Sequence, residues 1–85
     1  MTLPLSEVEL NVAATIREVG GQRSFRRRLM EMGLVPGTAI MKTNVAPLGD
    51  PLEILVRGGK LSIRHGDASE LVVEVPDVLP QVRAA

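Results

Sequence analysis

The chain has 85 residues, with ten Lys and Arg set against ten Asp and Glu, one His, no Cys and a single aromatic residue, Phe25. That length supports one compact domain, which buries only about 60 to 65% of its unfolded surface. Zero net charge excludes a long-range field for nucleic acid or an anionic membrane, and the lack of cysteine excludes disulfides, thiolate metal sites and thiol nucleophiles, which fits a reducing cytosol.

Residues 1–11 carry acidic groups at Glu7 and Glu9 and no long apolar run, unlike a secretory or transit peptide. Nowhere do eighteen apolar residues follow one another, so a membrane-spanning helix is not expected. Val12, Ala14 and Ile16 alternate, which predicts a first strand ending at Gly20 and Gly21. The period then changes: Ser24 can cap a helix whose apolar stripe is Phe25, Leu29 and Met32, stopped by Gly33 in a left-handed cap. Arg26 and Arg27 project from its other side, and Arg27 can pair with Glu31 for about 0.3 kcal/mol.

Pro36 and Gly37 predict a turn, with a strand from Thr38 onward. In that strand Lys42 falls in phase with Ile40, which a bulge or an edge position would reconcile. Ala46 to Pro51, with two prolines and a glycine, is a defined loop. Leu52, Ile54 and Val56 alternate with Glu53, Leu55 and Arg57, and Gly58 with Gly59 reads as a two-residue hairpin connection. The return strand turns Leu61 and Ile63 inward and Lys60, Ser62 and Arg64 outward. Asp67 to Glu70 has the spacing of a one-turn helix with a capping box, and Leu71, Val73 and Val75 form the last strand. The fold class is therefore mainly β: a small closed barrel of about five strands with one inserted α-helix and a short helical turn before the last strand. Residues 1–75 make the domain, and 76–85, with a second proline and no period, form a loose or lightly docked tail.

Two strings, Arg28-Leu29-Met30-Glu31-Met32-Gly33-Leu34-Val35-Pro36-Gly37-Thr38 and Val45-Ala46-Pro47-Leu48-Gly49-Asp50-Pro51, resemble the signature stretches of the ferrous iron transport protein A (FeoA) family. Gly58 to Arg64 and Ala68 to Val75 follow in the same order and spacing, so the resemblance runs from about Leu3 to Val75. It implies an SH3-like barrel with an inserted helix, acting in the cytosol on FeoB, the ferrous iron transporter with a GTP-binding domain. Three places depart from the pattern: Asn11-Val12 before the first strand, Lys42 for a usual apolar residue, and His65-Gly66-Asp67 for a more charged stretch.

One His, no Cys and unpartnered Ser and Thr leave no catalytic constellation, so the chain is not expected to be an enzyme. No paired His motif or Cys pair offers a closed metal shell, and no cofactor is required. His65, Asp67 and Glu70 are close enough in sequence for an open surface site that holds Fe²⁺ or Zn²⁺ weakly, or they are an exposed His beside a helix cap. Arg23, Arg26, Arg27 and Arg28 form the one local concentration of charge. They are either a solvated helix face or a contact for carboxylates on the transporter, a bolder form being an arginine finger for GTP hydrolysis.

Leu55 and Val72 point outward by the alternation that buries Ile54 and Val73; brought together, they would make a docking or weak self-association patch. A proline-rich ligand and single-stranded nucleic acid both call for aromatic platforms, which Phe25 alone does not make. The expected function is thus a cytosolic accessory protein of ferrous iron uptake, recruited to the inner face of the membrane by its transporter and not inserted in it. The alternatives are a metal-sensing module like the SH3-like domain of iron-dependent repressors, and a nucleic-acid-binding barrel.

Overall fold

The computed structural model describes residues 1–76, so the expectation of a loose tail lies, from residue 77 on, outside the described residues. In chain order the elements are β1 (Thr2–Pro4), a 3₁₀ turn (Leu5–Glu7), β2 (Ala13–Val19), α1 (Arg23–Glu31), β3 (Ala39–Val45), β4 (Leu52–Val56), β5 (Gly59–Ile63), α2 (His65–Ala68) and β6 (Leu71–Glu74). The strands form one antiparallel sheet in the order β1-β6-β2-β3-β4-β5. This is the mainly β fold read from the sequence, with one strand more than the five expected.

The extra strand is β1, whose Leu3 lies opposite Val73. A three-residue strand ending in proline carries too short an alternation to be seen in the sequence, and the pairing with β6 alone defines it. The expected closure also differs. The ladder runs from β1 to β5 without a bond between those two ends, so the barrel is curled but open. A three-residue strand ending in Pro4 has too few donors to seal it.

The core is aliphatic. Leu5, Ile16, Leu29, Leu34, Leu52, Ile54, Leu71 and Val73 are essentially without exposure, and Phe25, Leu61 and Val56 pack partly buried against them. Two bulges adjust the alternation. One lies in β2 between Ile16 and Glu18 and keeps both Ile16 and Val19 inside. The other lies between Lys42 and Asn44 in β3, where the sequence asked for one.

The helix α1 begins one residue before the expected cap: Gln22 occupies that position without a side-chain bond, and Ser24 lies inside the first turn. Leu29 anchors the helix, whereas Met32 is 41% exposed and leaves the stripe. Helical residues end at Glu31, so the next inward side chain is Leu34, carried past the left-handed Gly33 (φ +94°). Arg27 and Glu31 make no ion pair among the described residues. Gly37 (φ +94°) and the bond from Thr38 N–H to Val35 C=O (3.1 Å) close the expected turn.

The β4–β5 connection is Arg57-Gly58, one residue earlier than the sequence suggested, and both residues have positive φ (+53° and +78°). The shift has an electrostatic reason. A Gly58-Gly59 turn would have set Arg57 opposite Lys60, whereas here Lys60 lies opposite Leu55 and its Nζ comes within 3.8 Å of Glu53 Oε1. The helix α2 likewise begins at His65, two residues before the expected Asp67, and is not closed by a capping box. Its first free N–H, that of His65, donates to Asp50 Oδ1 at 2.9 Å, so the cap comes from the proline-rich loop fifteen residues earlier.

Candidate interaction surface

The outer face of the sheet carries a row that the registers define strand by strand: Lys60 on β5, Leu55 on β4, Met41 on β3 and Ala13 on β2. The small side chains Ala13 and Ala39 leave a shallow groove of about 230 Å³ between Met41, Leu55 and Arg57. Leu55 is 37% exposed at its edge. An apolar floor beside one guanidinium suits a partner's aliphatic side chain flanked by a carboxylate.

Val72 does not join this groove. It is half-buried on β6, opposite Pro4 and Glu18. Ala13, which ends the Leu55 row, and Glu18 stand five residues apart on β2, about 16 Å along a strand. Leu55 and Val72 are therefore two separate features of one face.

Arg23, Arg26 and Arg27 are all exposed on α1 at positions i, i+3 and i+4, hence on one side of the helix, and none has an ion pair among the described residues. Arg28 is diverted to the Phe25 ring, its guanidinium carbon 5.7 Å from the centroid. The helix and the groove meet at one corner. Arg57 Nε lies 3.8 Å from the place a Cβ on Gly33 would occupy, so the hairpin tip rests on the end of α1.

His65, Asp67 and Glu70 do not converge. Among the described residues no group of three His, Cys, Asp or Glu is placed to hold a metal ion. His65 is fixed through its backbone by Asp50, and Glu70 binds Gly20 N–H through its carbonyl (2.8 Å), so this corner joins α2 to the end of β2. No helix among the described residues is long and apolar enough to cross a membrane.

The sequence flagged Lys42 only as an awkward phase. Its side chain is 6% exposed and Nζ donates to Ser6 C=O at 3.2 Å, while its own carbonyl accepts from Asn11 N–H at 2.7 Å. Lys42 thus ties the segment between β1 and β2 to the middle of the sheet. Desolvation of the ammonium lowers its pKa below the ordinary 10.5. A lysine whose folded pKa is lowered binds fewer protons in the fold than in the unfolded chain, so stability climbs as pH rises through the window just below 10.5. Lys42→Met is expected to abolish that alkaline rise, while losing one hydrogen bond worth about 1 kcal/mol. Urea unfolding at neutral and alkaline pH measures both, and an unchanged rise in the variant would remove Lys42 as its source.

The family model described as FeoA domain matches residues 3–75. The chain is 38% identical over 71 residues to an Fe(2+) transport protein A/Fe(2+) transporter FeoB fusion protein of Porphyromonas gingivalis, a match covering 84% of this chain and 8% of the fusion's length. Among solved structures it resembles the FeoA-like protein from Clostridium acetobutylicum (36% identity, TM-score 0.80), covering 87% of this chain and 86% of that one. It also resembles Stenotrophomonas maltophilia FeoA complexed with zinc, described as a procaryotic SH3 domain protein (29% identity, TM-score 0.68), covering 87% and 89%.

Proposed function

The chain belongs to the FeoA family, and we propose on that footing that it is a cytosolic accessory protein of ferrous iron transport that binds the cytosolic part of a FeoB-type transporter. The supporting observation is the Porphyromonas gingivalis fusion, in which a FeoA-like stretch and a FeoB transporter are one polypeptide. Fusion of two functions in one chain raises their effective concentration, an arrangement that benefits modules which act in contact. Family membership ranks this reading ahead of a detached metal-sensing module and of a nucleic-acid-binding barrel.

The contact surface proposed is the Leu55 groove together with Arg23, Arg26 and Arg27. An aliphatic floor supplies desolvation, and the guanidiniums select carboxylates on the partner. Val72 lies outside that footprint. The zinc in the Stenotrophomonas maltophilia structure keeps weak surface binding of Fe²⁺ or Zn²⁺ within the proposal, as a property separate from docking. A pull-down of detergent-solubilised FeoB-type transporter on the immobilised protein is the test. Retention is expected to be salt-sensitive, and passage of the transporter through the column at low salt would end the proposal.

A further inference from the structure

We propose that the free edge of β5 is a docking site for an extended segment of a partner protein whose acidic side chains lie four residues apart, taken up as a seventh strand. The ladder settles which groups are available. The two-residue turn at Arg57-Gly58 makes Val56 and Gly59 a hydrogen-bonded pair, and pairs then alternate, so Gly59, Leu61 and Ile63 turn their backbone N–H and C=O toward β4. Those of Lys60 and Ser62 turn away from the sheet. Neither residue's backbone groups have a partner on that side among the described residues.

The opposite end of the sheet does not offer the same. The strand β1 has three residues and ends in Pro4, two features that blunt an edge, whereas β5 has five residues and no proline. Main-chain pairing gives such an edge affinity, and the side chains choose the occupant. Lys60, Ser62 and Arg64 are all exposed and alternate on one face. A second copy is disfavoured by that pattern: antiparallel pairing centred on Ser62 would set Lys60 opposite Arg64 twice over. A strand with carboxylates four apart, centred on Ser62, meets both cations instead.

Glu53 Oε1, half-buried, also accepts from Thr43 Oγ1 and stands 3.8 Å from Lys60 Nζ, so the exposed ammonium keeps most of its surface open to a second carboxylate. A groove of about 330 Å³ beside Ser62, Ile63, Arg64, Asp50 and Pro51 leaves room for a side chain of the added strand. The carboxylate opposite Lys60 would extend the row Ala13, Met41, Leu55, Lys60 by one strand. The edge follows from the ladder alone and holds whether or not the partner is a FeoB-type transporter.

The test uses the acetylated, amidated peptide Thr-Glu-Val-Thr-Val-Glu-Thr, its counterpart with Lys for Glu, and an acidic version N-methylated at alternate residues on its pairing side. Amide exchange is followed by NMR on the whole chain. The acidic peptide is expected to slow exchange at Lys60 and Ser62 by about tenfold or more at millimolar concentration. The lysine and N-methylated peptides are expected to leave both amides fast, and the double variant Lys60→Glu, Arg64→Glu to prefer the lysine peptide. Unchanged exchange at Lys60 and Ser62, equal binding of the N-methylated peptide, or equal binding of both charges would each overturn the proposal. The methylated peptide leaves the protein untouched, so that arm does not depend on any variant folding.

Discussion

Leu5→Ala is expected to destabilise the domain by about 3 kcal/mol, the usual scale for truncating a fully buried leucine. For a chain of this size that is a fall in Tm of about 12 to 24 °C. Leu5 has no exposed surface, although it stands on a 3₁₀ turn only four residues from the N-terminal Met. It is held there from both sides. The strand β1 pairs with β6 before it, and the Lys42 ammonium takes the Ser6 carbonyl just after it. The turn packs against α2 and β6, which places Leu5 in the core cluster. Thermal unfolding by circular dichroism checks this. A fall of only 1 or 2 °C would mean that the first eleven residues are a dispensable arm, and that the core begins at Val12.

That contrast marks where the sequence was legible. Alternation was strong in Leu52, Ile54 and Val56 and again in Leu71, Val73 and Val75, and those strands stand where they were expected. Pro36 with Gly37 named its own turn, because each residue type restricts φ in the way that turn requires. Lys42 announced a bulge by breaking phase. What the sequence hid are the features decided by distant partners. Nothing near His65 shows that Asp50 caps it, and nothing in Thr2-Leu3-Pro4 shows a strand until Val73 is beside it.

The same division holds for the surface. Exposure of Leu55 and of the arginines on α1 was readable from period alone, since one face of each element had to be buried. The separation of Leu55 from Val72 was not, because it depends on strand order: β2 and β3 stand between β4 and β6. The free edge at β5 was hidden for the same reason. An expected closed barrel has no edge, and only the observed order exposes one.

Leu55→Glu is expected to weaken retention of a FeoB-type transporter by about 30-fold or more, the effect of losing an apolar anchor worth at least 2 kcal/mol. Stability should hardly change, because Leu55 is 37% exposed and an outward substitution shifts Tm by no more than about 4 °C. The placement makes the two readouts independent. The neighbours of Leu55 across the strands are Met41 and Lys60, and Lys60 can accept the new carboxylate, so the variant strand keeps a favourable pair while the groove acquires a charge. Replacing Arg23, Arg26 and Arg27 together by Glu should weaken retention too, but with a loss that shrinks as salt is added, whereas the Leu55 loss should persist in high salt. A large drop in Tm for Leu55→Glu would place that side chain in the core. Undiminished retention with an unchanged Tm would move the docking surface off this face of the sheet, leaving the arginine side of α1 to carry it.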